Sequence, residues 1–163
     1  MHLTNLIELS RFYADEIRLG KYPFVDFDPV DRWHQRLYRD QRMDVWLISW
    51  LPEQGTQLHD HGGSSGSFTV LSGVLTETTL RPGGQSGTAT PQNRDHGDGA
   101  SVGFGPRYVH DVRNLGAAPA VSVHVYSRPL TSMTYYDLED GVLVPFAQVP
   151  TDDPEPAFSL RVA

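Results

Sequence analysis

The sequence predicts an all-β domain of the sandwich or barrel class, with a short helical segment at its N-terminus. Three observations predict it. Apolar residues at helical spacing are confined to the first 20 positions. Beyond Pro29 the chain breaks into short β-rich runs punctuated by glycine and proline. The 163 residues, 39% apolar and 20% charged, suffice for one packed core, and no composition shift or repeat marks a second. We therefore expect a single domain over 1–163, made of a helical segment (1–29), a β-barrel (30–150) and a tail (151–163).

The helix is expected over residues 4–20. Thr4 or Asn5 can cap it, Leu6, Leu9, Tyr13 and Ile17 line one face, Gly20 closes it and Pro23 prevents its return. Strands are expected at Trp33–Arg39, Asp44–Trp50, Phe68–Leu71, Val74–Leu80, Ala100–Phe104, Asp111–Asn114, Ala120–Ser127 and Thr134–Asp137. Arg81–Gly99, with five Gly, two Pro and almost no large apolar residue, reads as a hairpin loop or surface insertion. The polar stretch Thr151–Pro156 reads as the start of a tail lying along the surface.

Composition excludes several function classes. Twenty acidic against thirteen basic residues give a net charge of −7, the reverse of what phosphate neutralisation needs, so no nucleic-acid partner is expected. The absence of cysteine removes disulfides, thiolate metal sites, iron–sulfur ligation and a Cys nucleophile. The N-terminus is broken by Glu8, Arg11, Asp15 and Glu16, and no run approaches the ~20 apolar residues that span a bilayer. A cytoplasmic, soluble protein without a membrane partner is expected, as a monomer or small homo-oligomer. Any metal must be held by carboxylates or by some of the seven histidines.

Three segments can carry chemistry. If His59-Asp60-His61 lies in a strand, both imidazoles point to one face, where they can reach one metal, and Asp60 points to the other. The alternative is a pair of surface histidines near the following GGSSGS turn. His110, after a Gly-Pro turn, can add the third ligand that two neighbouring histidines lack, or be an ordinary histidine at the edge of the core. In Ala120–Ser127 the valines 121, 123 and 125 form one face, and Ser122, His124 and Tyr126 share the other. That second face is either a half-exposed surface or a Ser–His–Tyr relay orienting the tyrosine hydroxyl. His2, His34 and His96 lack evident partners. There is no phosphate loop, nucleophile elbow or Rossmann glycine pattern.

In order, these pieces resemble the thiol dioxygenase branch of the cupin superfamily, best known through cysteine dioxygenase. The resemblance rests on Trp50–Gly66 (WLPEQGTQLHDHGGSSG), Val70–Glu77 (VLSGVLTE), His110–Asn114 (HDVRN) and Ser122–Ser127 (SVHVYS), and covers about residues 30–137. It implies a cupin jelly-roll β-barrel and a non-haem Fe(II) held by His59, His61 and His110. Three neutral imidazoles in place of the commoner two-His-one-carboxylate set would leave the full +2 charge on the ion, which favours a thiolate. The implied reaction joins both atoms of O2 to the sulfur of a small thiol, giving a sulfinic acid. L-cysteine is the foremost substrate and 3-mercaptopropionate the alternative. Tyr126 would hydrogen-bond the substrate, oriented through His124 and Ser122.

Two departures stand out. Some relatives carry a cysteine five residues after the second metal histidine, thioether-linked to the active-site tyrosine; here that position is Gly66, so Tyr126 must be an unmodified phenol. The relatives' Ser-Pro-Pro after the tyrosine is Ser127-Arg128-Pro129. For the substrate carboxylate, relatives use an Arg or a Gln on the strand before the metal motif, which here offers both Gln35 and Arg36. Charge compensation of a buried carboxylate favours Arg36, and Arg128 is a third possibility. Rival classes are a non-catalytic cupin binding metal and a small ligand, and a three-His zinc site activating water.

Overall fold

The computed structural model describes residues 1–22, 24–82 and 88–154; Pro23, residues 83–87 of the expected loop and residues 155–163 of the expected tail lie outside them. Among the described residues a helix, α1 (Leu3–Arg18), precedes ten strands. These are β1 (His34–Arg39), β2 (Asp44–Trp50), β3 (Ser65–Ser72), β4 (Leu75–Pro82), β5 (Ala89–His96), β6 (Ser101–Phe104), β7 (His110–Arg113), β8 (Ala120–Ser127), β9 (Ser132–Glu139) and β10 (Val142–Pro150). The Ser127–Arg128 peptide after β8 is cis.

All pairings are antiparallel. One sheet runs β1-β2-β8-β3-β6. Opposite it lie β5-β4-β7 and the β9–β10 hairpin, stitched together by residues 58–60. His59 exchanges backbone hydrogen bonds with His110 of β7 (2.9 and 3.1 Å), while Asp60 N–H donates to Thr134 and Tyr136 N–H to Leu58, both at 2.9 Å. Two facing sheets of this kind form a jelly-roll barrel.

Alternation along the strands sorts their residues. Trp46, Ile48 and Trp50 of β2, Phe68 and Val70 of β3, and Tyr126 of β8 point between the sheets. Val45, Leu47, Val121, Val123 and Val125 point outward, where Leu6, Tyr13 and Ala14 of α1 cover them. This is why all seven residues of β2 are buried: each face has its own cover, and each fully buried Leu or Val contributes about 1.5–3 kcal/mol. The valine face of β8 is thus sealed by the helix, which commits Ser122, His124 and Tyr126 to the barrel interior.

The boundaries differ from expectation in four places. The helix opens at Leu3, its first backbone bond running from Leu6 N–H to the His2 carbonyl (3.2 Å), so neither Thr4 nor Asn5 is its cap. It ends at Arg18, two residues before the expected Gly20, whose positive φ of 74° lets the Gly20 and Lys21 N–H groups turn back onto the carbonyls of Ile17 and Glu16. Most of the expected loop 81–99 is strand: β5 pairs with β4 from Leu75–His96 to Pro82–Ala89. Its residues from Pro91 to Asp95 are exposed, so backbone pairing holds it without an apolar pattern to announce it. β10 was not expected either, because Pro145 and Pro150 interrupt it; prolines are tolerated at a sheet edge.

The fourth difference concerns the tail. Thr151–Pro154 does not trail along the surface but crosses the mouth of the barrel as a strap. Thr151 N–H donates to Thr131 (3.1 Å), Asp152 accepts from Arg36 and Arg39, and Asp153 meets His34 Nε2 at 2.8 Å. Pro154, the last residue of the strap, is buried.

Candidate metal centre and cavity

His59, His61 and His110 are brought together inside the barrel. All are buried, and one ring nitrogen of each lies within 4.8 Å of the others. His59 Nδ1 donates to the Gln57 carbonyl at 2.7 Å and His110 Nδ1 to the Glu77 carboxylate at 2.8 Å. Both acceptors demand a proton on Nδ1, which leaves the Nε2 lone pairs of these two rings for a metal. Asp60 faces away, accepting Tyr136 O–H at 2.6 Å and Gly62 N–H at 2.9 Å. Burial first, and the neighbouring histidines second, hold His59 and His61 well below the ordinary imidazole pKa. Neutral, buried and convergent imidazoles fit a divalent first-row metal, and no carboxylate joins this cluster among the described residues.

The same burial makes the metal-free protein acid-labile. His124 is likewise depressed to about 3 by burial and then by the charges of His110 and Arg32. His59, His61 and His124 must take up protons when the chain unfolds below about pH 6.5, so stability falls as pH falls through that value. Asp44, raised to about 6 by burial, works the other way and offsets part of this loss. Urea unfolding of the metal-free protein should therefore show stability falling as pH is lowered from 7.5 to 5.5; a flat or rising profile refutes it.

Ser122, His124 and Tyr126 form a connected chain on the inner face of β8. Ser122 Oγ lies 2.8 Å from His124 Nε2, and His124 Nδ1 lies 3.3 Å from the Tyr126 hydroxyl. The Trp50 indole N–H donates to Ser122 Oγ at 2.9 Å. A serine oxygen can accept twice, but its own proton has His124 Nε2 as its one acceptor among the described residues, so the Ser122 hydroxyl donates there. His124 then carries its proton on Nδ1 and donates to the Tyr126 oxygen, leaving the Tyr126 O–H to point into the cavity. Phe68 stacks on the His124 ring (5.4 Å, 19°) and keeps it in this orientation.

These groups open on one small cavity of about 10 Å³, the room of about one water, lined by Arg32, Trp50, His59, His110, His124, Tyr126 and Pro154 among others. Arg32 was missed in the sequence. It is 7% exposed and stacks its guanidinium over Trp50 at 4.6 Å. The two expected carboxylate partners are not in this cavity. Gln35 pairs with Leu47, on the face turned to α1. Arg36 shares the inner face of β1 but sits further out, over Trp46 at 4.4 Å, and is engaged by Asp152 of the strap. Arg128 lines a separate groove with Arg39, Gly62 and Ser64. Counting back in twos from Arg36 through His34 reaches Arg32, which is the signal that would have found it.

His96 and His34 also have partners, against expectation. His96 Nε2 meets Glu77 at 2.9 Å, and His34 is held by the strap. Glu77 is 2% exposed. Burial pushes its carboxyl up, but hydrogen bonds from His110 and His96 outweigh this and hold it down at about 2.

Gly66 lies directly between Tyr126 and Phe104 in adjacent strands. A Cβ there would meet the Phe104 ring, with Cε2 at 2.6 Å, and the Val125 carbonyl at 2.8 Å. The Phe104 ring stacks on His61 at 4.7 Å.

Comparison with known proteins agrees with this geometry. The family described as cysteine dioxygenase type I matches residues 8–139. Cysteine dioxygenase type 1 of Danio rerio is 29% identical over 112 residues, 61% of this chain; the match spans 52% of that protein, about half its length. Among solved structures, TT1209 from Thermus thermophilus superposes with a TM-score of 0.52 at 24% identity, covering 68% of this chain and 93% of that one. A cupin superfamily protein from Desulfitobacterium hafniense gives a TM-score of 0.52 at 12% identity, covering 63% and 83%. These structural likenesses show the fold, a cupin jelly roll. Among the described residues, no helix is long and apolar enough to cross a membrane.

Proposed function

Because the chain belongs to the cysteine dioxygenase type I family, we propose that it is an Fe(II)-dependent thiol dioxygenase that converts L-cysteine and O2 to cysteine sulfinic acid. The observation that carries this reading is the convergence of three buried histidines, His59, His61 and His110, beside a cavity that His59 and His110 line together with Tyr126 and Arg32. His59, His61 and His110 would hold the iron, which when bound supplies the redox chemistry joining O2 to sulfur. Their neutrality favours an anionic thiolate beside the ion.

Arg32 receives the substrate carboxylate, a task suited to a buried planar guanidinium. Stacked on Trp50, it is already held in place before substrate arrives. Tyr126 donates its free proton to the substrate, directed by the chain from Trp50 through Ser122 and His124. The apolar walls, Ile48, Val112, Met133 and Pro154, exclude water from the reacting sulfur. With room for about one water, the cavity takes up substrate only when the side chains or strap around it give way.

The test is O2 uptake by the iron-loaded protein with cysteine, 3-mercaptopropionate and cysteamine. Thiol-dependent uptake is expected, one O2 per sulfinate formed and fastest with cysteine. A preference for 3-mercaptopropionate overturns the substrate assignment alone. Iron binding without uptake on any thiol overturns the dioxygenase reading.

A further inference from the structure

On the side of His110 away from the cavity, three donors converge on the Glu77 carboxylate. Oε1 accepts from His110 Nδ1 at 2.8 Å and from Tyr108 O–H at 3.1 Å, and Oε2 from His96 Nε2 at 2.9 Å. The three candidate ligands are therefore backed unequally. His110 has a carboxylate behind it, His59 the neutral Gln57 carbonyl, and His61 Nδ1 has no hydrogen-bond partner among the described residues.

We propose that Glu77, steered by Tyr108 and His96, is a positioning residue that locks His110 in its Nδ1–H tautomer and makes it the strongest donor of the metal site. The proposal rests on the reading of His110 as a metal ligand. A carboxylate is thus present after all, one hydrogen bond removed from the ion rather than bound to it. There it offsets part of the metal charge through His110 while leaving every coordination position that a directly bound carboxylate would occupy. Tyr108 and His96 share the negative charge and so moderate the effect. A buried carboxylate is expensive to desolvate, and neither packing of β4 nor its pairing with β5 and β7 requires one at this position.

The test uses Glu77→Gln and Tyr108→Phe in the full chain, read in two ways that need neither thiol nor O2. In ¹⁵N-histidine NMR of the metal-free protein, His110 should be the Nδ1–H tautomer in the wild type and a mixture in E77Q. In competition titrations with Co(II), E77Q should bind about 10–100-fold more weakly, the usual effect of removing a carboxylate behind a ligating histidine. Tyr108→Phe should bind Co(II) no more weakly than wild type, since it removes a competitor for the same charge. A merely structural role would weaken both variants. Unchanged affinity and tautomer in E77Q, or weakened binding in Y108F, overturns the proposal, and Y108F alone decides it if E77Q does not fold. A wild type that binds no Co(II) refutes the metal-site reading, while the tautomer comparison still tests the hold of Glu77 on His110.

Discussion

Replacing Arg32 with alanine is expected to lower kcat/KM for cysteine by about 10²–10³-fold, from the loss of a bidentate, charge-assisted pair worth about 3–4 kcal/mol. The effect should fall mainly on KM, because the carboxylate is bound alike before and during the reaction. Cysteamine, which has no carboxylate, should lose almost nothing. The comparison of the two thiols separates recognition from a general defect, since Arg32 also packs on Trp50 and its removal loosens that wall. Arg36→Ala, whose guanidinium is engaged by Asp152 outside the cavity, should leave the preference for carboxylates intact. Equal losses on cysteine and cysteamine in R32A, or loss of discrimination in R36A, would return the carboxylate site to β1.

Tyr126→Phe should lower kcat by about 10²-fold with little change in KM, at the lower end of what a positioned proton donor contributes. Burial holds the phenol far above its ordinary pKa, so the hydroxyl stays protonated at any working pH and acts as a donor. Ser122→Ala supplies the sharper test. Without the serine proton, His124 is free to place its own on Nε2, and the Tyr126 O–H turns back to Nδ1, away from the cavity. S122A should then approach the defect of Y126F although it touches no substrate. Steady-state O2 uptake measures both; a kcat within about 3-fold of wild type in Y126F removes the tyrosine from the reaction.

Much of this site was legible because it lies on residues with strong patterning. The alternation in 120–127 predicted both faces of β8, and the facing helix explains why the polar one turned inward. The spacing of His59 and His61 was readable although they lie outside a regular strand, since an extended backbone alone suffices. What stayed hidden depends on pairing between distant strands. Glu77 and His96 meet only because β4 and β5 pair antiparallel, and β5 carries no apolar alternation to reveal it. Arg32 precedes its strand in a polar stretch, and only the alternation of β1 carried back beyond His34 marks its direction. Arg36 was favoured over Gln35 on charge compensation alone, and the aspartate that engages it comes from a tail read as lying along the surface.

The row Tyr126–Gly66–Phe104 limits what position 66 can hold. Cysteine at 66 does not fit while Phe104 fills the space above the glycine, and a smaller residue at 104 by itself would strip His61 of its stacked ring. Room made at 104 does not by itself admit a side chain at 66, because the Val125 backbone carbonyl would still lie 2.8 Å from the new Cβ; the glycine is required by the backbone of β8 as well as by the ring of β6.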